Sequence, residues 1–316
     1  MESREPWFPT FVFLTIFVSD NTPMNVPFRS AFRFVPLLLL LACGKTEEQP
    51  DAAQRLKDNE DQIKQHAAAK GLTVQRTSSG LYYAITSKGT SARKVLPGDE
   101  VALNYVISRL DGFKLDTSSV SLARPDRFPW GAGMRLKGLE EGLGLMNEGD
   151  RAVLLVPYPL AYDNRNFDVL PAYSAVRYDV TLVSIRNEAE QIDVFLTRNK
   201  LEETLRTPSG LRVVRTRVGT GPVPATGQTV QVAYTGRLLN EVQFDIGTIE
   251  FKLGQNQSIK GFEEGIATMK VGEKAILVFP SSVAYGKDGV YNSQRNLYTI
   301  PPYAALAFEV ELKAVR

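Results

Sequence analysis

One six-residue motif occurs twice in the chain, and it constrains the fold more than any other feature. Lys137-Gly138-Leu139-Glu140-Glu141-Gly142 returns as Lys260-Gly261-Phe262-Glu263-Glu264-Gly265. Gln62-Ile63 returns as Gln191-Ile192, and Ser79-Gly80-Leu81 returns as Ser209-Gly210-Leu211. The offset stays near ~130 residues, far longer than the period of a stacked solenoid. A chain of 316 residues therefore reads as two consecutive copies of one domain.

Each copy opens with a polar helical stretch, about 55–70 and 187–200. Strands follow. Val101, Leu103 and Tyr105 alternate along one segment, and Val230, Val232 and Tyr234 along its counterpart. Period-two alternation places one side in a core and the other in water. The last strands repeat the pattern in Tyr178-Val180-Leu182 and Phe308-Val310-Leu312, with Glu309 and Glu311 facing out. Between them, Leu136, Leu139, Leu143 and Met146 fall on one helical face, as do Ile259, Phe262, Ile266 and Met269. Gly149 and Gly272 close these short helices and lead into the apolar runs Ala152–Val156 and Ala275–Phe279. Antiparallel strands with one helix on one face make an α+β architecture.

Composition excludes several chemistries. Apolar residues make up 43% and charged residues 23%, with a formal net charge of +2. No arginine-rich run with interleaved aromatics is present, so nucleic acid is not an expected partner. There is one histidine, His66, and one cysteine, Cys43. A Cys/His zinc site needs several such ligands. Any Ser-His-Asp chemistry would have to use His66, which sits in Gln62-Ile63-Lys64-Gln65-His66-Ala67 and reads as a solvated helix residue.

Four further motifs flank the second hexapeptide in order: Tyr234-Thr235-Gly236 and Phe244-Asp245 before Lys260 to Gly265, then Ala284-Tyr285-Gly286 and Ile300-Pro301-Pro302 after it. With the closing Phe308-Glu309-Val310-Glu311-Leu312, they resemble the FKBP-type peptidyl-prolyl isomerases over about 205–316. A weaker resemblance covers about 75–186 through Tyr105, Leu115-Asp116, Lys137 to Gly142, Ala161-Tyr162, Leu170-Pro171 and Tyr178. The resemblance implies a bent antiparallel sheet wrapped on the short helix, with a shallow apolar pocket for a proline ring between them. Carried over, that pocket in the second copy is Tyr234, Phe244, Asp245, Ile259, Phe262, Tyr285, Ile300 and Phe308. In the first copy it is Tyr105, Leu115, Asp116, Leu136, Leu139, Tyr162, Leu170 and Tyr178. Phe262 would form the floor, Tyr285 would donate to the substrate carbonyl, and Asp245 would orient nearby polar groups. Proline-containing polypeptides would be the clients.

That chemistry asks for no nucleophile, metal or cofactor. The barrier to rotation is amide resonance, about 18–20 kcal/mol, and the two isomers of an X-Pro bond are already nearly balanced. A dry pocket that binds the twisted amide better than the planar one lowers the barrier. The two copies differ in how well they fit. Leu115 stands opposite Phe244 and Leu139 opposite Phe262, and Asp163 follows Tyr162 where glycine is usual. In the second copy, the bulge after Asp245 is short (Ile246 to Ile249), and Ser258 replaces an apolar residue beside Ile259. Fifteen residues separate Tyr285 from Pro301, against eight between Tyr162 and Pro171. Activity is expected mainly in the second copy. The rival reading is a chaperone or scaffold module without catalysis, serving an envelope complex.

The amino end reads as a targeting device. From Met24, Arg29 and Arg33 form a positive segment, Phe34 to Leu41 a short apolar one, and Leu40-Leu41-Ala42-Cys43 resembles the bacterial lipobox. In that family the cysteine is acylated and begins the mature chain. Residues 1–42 are thus expected to be an upstream extension and lipoprotein signal peptide, with the true start at Met24. Residues 43–54 would be a tether, 55–186 the first domain with its leading helix, and 187–316 the second. The combination resembles lipoprotein isomerases of the Bacteroidetes, some of which belong to gliding machinery. The implied location is a cell-envelope lipoprotein on the outer membrane facing the periplasm. A plain signal peptide, or an apolar membrane helix over Trp7 to Val18, are the competing readings.

Overall fold

A computed structural model describes residues 51–118 and 125–316. The first half contains α1 (Ala52–Ala69), β1 (Gln75–Arg76), β2 (Tyr82–Ser87), β3 (Glu100–Arg109), β4 (Lys114–Thr117), β5 (Asp126–Pro129), α2 (Lys137–Leu145), β6 (Arg151–Val156) and β7 (Val176–Arg186). The second contains α3 (Glu188–Arg198), β8 (Leu205–Arg206), β9 (Arg212–Arg217), β10 (Thr229–Leu238), β11 (Gln243–Lys252), α4 (Lys260–Ile266), β12 (Lys274–Phe279), β13 (Val290–Asn292), β14 (Leu297–Ile300) and β15 (Leu306–Val315). The α+β expectation holds in both halves. Their sheets run β1-β2-β6-β7-β3-β4, with β5 also on β3, and β11-β10-β15-β12-β9-β8, all antiparallel.

The hexapeptide now has a physical explanation. Its glycines let the short helix lie directly on the sheet. A Cβ on Gly261 would come 2.7 Å from Phe279, and one on Gly265 2.4 Å from Leu277. Gly138 and Gly142 meet Val156 and Leu154 in the same way, at 2.3 and 2.4 Å. The second glutamate of each copy fixes a turn: Ser79 donates to Glu141 at 2.6 Å and Ser209 to Glu264 at 2.6 Å. The helices are shorter than the apolar periodicity suggests. Leu136 and Ile259 are N-caps, while Met146 is a C-cap and Met269 lies in the turn beyond α4. All four still pack on the cores, because the turn through Gly149 (φ 89°) or Gly272 (φ 85°) keeps the chain close to the sheet.

The leading helices are not solvated stretches. Each covers the second face of its sheet. Ile63 and Ala67 pack on Tyr82, Val153 and Leu155, whereas Leu154 and Val156 point to the α2 side. Ile192, Phe195 and Leu196 pack on Val214, Val278 and Ala307, whereas Leu277 and Phe279 point to α4. A strand buried on both faces needs a continuous apolar run rather than an alternating one, and β6 and β12 have such runs. His66 is half-buried, 3.3 Å from the Arg177 guanidinium. Burial, then the Arg177 charge, lowers its pKa.

Asn187 alone separates β7 from α3, and it caps α3 through a reciprocal capping box with Glu190. Glu190 also accepts two hydrogen bonds from Arg93 of the first half, at 2.9 and 2.6 Å. Gly98 (φ 93°) lies so close to the Tyr303 ring that a Cβ there would sit 2.9 Å from it. Cys43 and the amino-terminal segments lie outside the described residues. Among the described residues, no helix is long and apolar enough to cross a membrane.

Candidate active site

In the second half, a cleft of about 380 Å³ opens between α4 and the inner face of the sheet. Tyr234, Asp245, Ile259, Phe262, Tyr285 and Phe308 line it, six of the eight residues expected there. The other two support it. Phe244 packs edge-to-face on Phe308 with centroids 5.6 Å apart, and Ile300 is buried in the same core. Phe262 is fully enclosed below, with Phe308 at 5.3 Å, Tyr234 at 5.9 Å and Phe251 at 6.0 Å. The first two contacts are edge-to-face, with ring hydrogens on π faces, and the third is tilted. The floor of the cleft is therefore closely packed aromatic surface.

The polar side is equally defined. The Tyr234 hydroxyl donates to Asp245 Oδ2 at 2.8 Å, and Asp245 Oδ1 accepts from the Ile246 amide at 2.9 Å. Burial and that hydrogen bond push the Tyr234 phenol up to about 12. Tyr285 is 37% exposed at the rim. Its hydroxyl has no hydrogen-bond partner among the described residues, so it is free to donate to a ligand. Burial, then the Asp245 charge, raises its pKa, which keeps the donor proton in place at neutral pH. Among the described residues, no cluster of three or more His, Cys, Asp or Glu side chains could hold a metal.

Four lining residues were not expected. Ile249 faces in from β11, and Asn256, Gln257 and Ser258 form a wall before α4. Glu263, the first glutamate of the hexapeptide, holds that wall. Its carboxylate accepts from the Gly254 amide at 2.8 Å and the Ser258 amide at 3.0 Å. The readable signal was Gly254-Gln255-Asn256, turn-forming residues adopted here with φ of 80° at Gly254 and 53° at Asn256.

The first half keeps the polar pair and changes the walls. Tyr105 donates to Asp116 at 2.8 Å, and Asp116 accepts from the Thr117 amide at 2.7 Å. Leu139, Leu170 and Tyr178 are buried, while Leu115, Leu136 and Tyr162 are half-buried against the same core. The Tyr162 ring meets Phe167 edge-to-face at 5.4 Å. Asp163 takes the left-handed conformation (φ 54°) that Gly286 takes in the second half (φ 60°). That conformation costs a non-glycine residue about 1–2 kcal/mol.

A family model described as FKBP-type peptidyl-prolyl cis-trans isomerase matches the chain twice, over residues 91–183 and 221–313. The chain belongs to that family. Its two FKBP-type domains also have individual relatives. FK506-binding protein 4 of Dictyostelium discoideum is 42% identical over 108 residues, 33% of this chain and 28% of that protein. Peptidyl-prolyl cis-trans isomerase FKBP10 of Homo sapiens is 29% identical over 226 residues, 70% of this chain and 35% of that protein. The chain spans about a third of the length of these curated relatives. Among solved structures, FkpA from Escherichia coli matches at 31% identity and a TM-score of 0.34, over 41% of this chain and 59% of that one. The three FKBP domains of wheat FKBP73 match at 20% identity and a TM-score of 0.38, over 77% and 99%.

Proposed function

We propose that the chain isomerises X-Pro bonds in polypeptide clients, mainly through its second FKBP-type domain. The observation that carries this is the cleft above Phe262, with a free phenol at its rim and a tyrosine–aspartate pair in its wall. A proline ring laid on Phe262 leaves water behind. A planar amide is more charge-separated than a twisted one, so a dry floor disfavours the ground state. Tyr285 strengthens its hydrogen bond as the carbonyl rotates, which is binding differential to the transition state. No proton is transferred.

The comparison that tests this uses proline peptides and the full chain. Phe262→Ala with Tyr285→Phe should abolish activity, and Leu139→Ala with Tyr162→Phe should leave most of it, each checked for folding. Equal losses would move the activity to both domains, and an inactive wild type would leave the chain a client-holding module. Phe167 packed on Tyr162 favours that holding role for the first domain. The cell-envelope location, through lipid on Cys43, belongs to the same proposal and is supported by the sole cysteine falling at Leu40-Leu41-Ala42-Cys43. Mass spectrometry of the native protein should find Cys43 acylated; an unacylated chain retaining residues 24–42 would refute it.

A further inference from the structure

β11 is the edge of the second sheet, ten residues long and paired on one side with β10. Its backbone polarity can be assigned. Thr229 exchanges both hydrogen bonds with Arg316 beside β15, and Leu253 exchanges with Gly227 and Gln228 on the β10 side. In an antiparallel ladder such roles alternate residue by residue. With the register Thr229↔Lys252 to Gly236↔Asp245, odd-numbered residues of β11 therefore face β10 and even-numbered ones face outward. Two outward amides are already taken: Ile246 donates to Asp245 and Lys252 to Gln257, both at 2.9 Å. Between them, the amides of Thr248 and Glu250 have no partner among the described residues.

This window lies between two depressions. On the inner face, Asp245 and Ile249 border the cleft described above. On the outer face, Ile246 and Thr248 border a groove of about 570 Å³, with Ala233 and Ile276 on its floor and Glu309 at its side. Among the described residues of the first domain, no ten-residue strand forms the matching edge. There β4 and β5, each four residues long, pair with β3 in succession, and β5 ends in Pro129.

We infer that this edge receives an extended segment of the client as an added antiparallel strand, with its proline on the inner face. Residues directly opposite in an antiparallel pair share a face. Thr248 and Glu250 carry outer-face side chains and outward backbone groups. Client residues bonded to them thus point their side chains to the outer groove. The alternate client residues point into the cleft and turn their own N–H away from β11. Proline has no N–H, so an inner-face position costs it no hydrogen bond. A parallel strand would invert this relation and place the missing donor where one is needed, so the client runs antiparallel. Backbone bonds would supply affinity, and the two depressions would read alternate side chains.

The inference rests on the isomerase reading of the cleft, and the test separates the two. The full chain is compared with Thr248→Pro, which removes one outward amide after Gly247 and so disturbs the ladder little. Thr248→Val keeps the amide and controls for the side chain. Exchange NMR measures kcat/KM for a four-residue and a ten-residue X-Pro peptide. Thr248→Pro should lower the ten-residue to four-residue ratio about tenfold, and Thr248→Val should not. An unchanged ratio overturns the inference. If Thr248→Pro does not fold, the wild-type chain is given the ten-residue peptide N-methylated at the residue after proline, which should lose the same factor; equal rates overturn it. If the wild type isomerises neither peptide, the isomerase reading fails. The edge is then read by hydrogen exchange: the ten-residue peptide should protect the Thr248 and Glu250 amides, and no protection overturns the added strand.

Discussion

Glu263→Gln offers a strict test of how the cleft wall is held. The side chain is 8% exposed, and its two oxygens each accept one backbone amide, from Gly254 and Ser258. Glutamine has the same shape but one acceptor. Whichever way it turns, an NH2 group faces a backbone N–H at about 3 Å, donor to donor. Hydrogen bonds to a charged group contribute about 1.5–3 kcal/mol each, and a buried donor left unsatisfied costs about 1–3 kcal/mol. A loss of about 2 kcal/mol, if confined to the 254–258 wall, raises local amide exchange about 30-fold.

The assay is hydrogen exchange at Gly254 and Ser258 together with kcat/KM on a proline peptide. Both should change, because Asn256, Gln257 and Ser258 line the cleft. The first domain supplies an internal comparison. Glu140 accepts one backbone amide, from Arg135 at 3.2 Å, and is half-buried. Glu140→Gln can keep that bond by turning its carbonyl oxygen toward Arg135. Its effect should stay below about 1 kcal/mol. Equal effects of the two substitutions, or unaltered exchange at Gly254, would refute the argument.

Two further outcomes follow from the same packing. Burial raises the Glu188 carboxyl above its ordinary 4.5, against the opposing hydrogen bonds from Ser281. Its contribution to stability is therefore complete below that value and is lost as pH rises through the folded pKa. Glu188→Gln can still accept from the Ser281 amide and donate to its hydroxyl, so its urea midpoint should gain on the wild type as pH goes from 4 to 8; a constant difference would refute this. Gly265→Ala would press a Cβ within 2.4 Å of Leu277. Overpacking should cost about 1–3 kcal/mol despite the helix-propensity gain of about 1 kcal/mol, and denaturant titration would show an unchanged or higher midpoint if the helix can simply move.

Much of this was readable from the residues. The alternation in β3, β10, β7 and β15 and the helical face of Phe262 and Ile266 place the inner core correctly. Two things escaped. The leading helices look polar, since charged and amide side chains interrupt their apolar residues, and yet Ile63 and Ile192 are both essentially inaccessible to water. The recurrent Gln-Ile pair and the continuous apolar runs of β6 and β12 were the signals. The Asn256 to Ser258 wall escaped because polar backbone contacts to Glu263 hold it, not apolar periodicity. The glutamate pair of the hexapeptide recurs as a sequence pattern, but its partners lie in other segments that sequence alone does not bring near.

The two domains hold their pocket tyrosines by different means, and this bears on whether they are separable. In the first domain, Asn59 of α1 accepts from the Tyr158 amide and donates to the Tyr173 carbonyl, both at 3.0 Å. The Arg55 guanidinium lies 4.3 Å from the Tyr173 ring centre, and Tyr158 meets that ring edge-to-face at 5.3 Å. These supports of that loop all come from its own domain. In the second, Glu188 of α3 accepts from the Ser281 amide and hydroxyl at 2.5 and 2.7 Å. Tyr303, with the same left-handed backbone as Tyr173, rests instead on Gly98 of the first domain. Its amide donates to the Gly286 carbonyl, next to Tyr285, at 2.9 Å. Residues 187–316 alone should therefore fold around their sheet, with circular dichroism showing the strand content, while the Tyr303 and Gly286 amides lose protection. Residues 51–186 alone should keep protection at Tyr173, whose amide bonds Asp163 at 2.8 Å. Gly98→Ala in the full chain should reproduce the loss at Tyr303, because the added methyl displaces the ring. Identical protection of the Tyr303 amide in 187–316, in Gly98→Ala and in the full chain would show that the first domain does not support that loop.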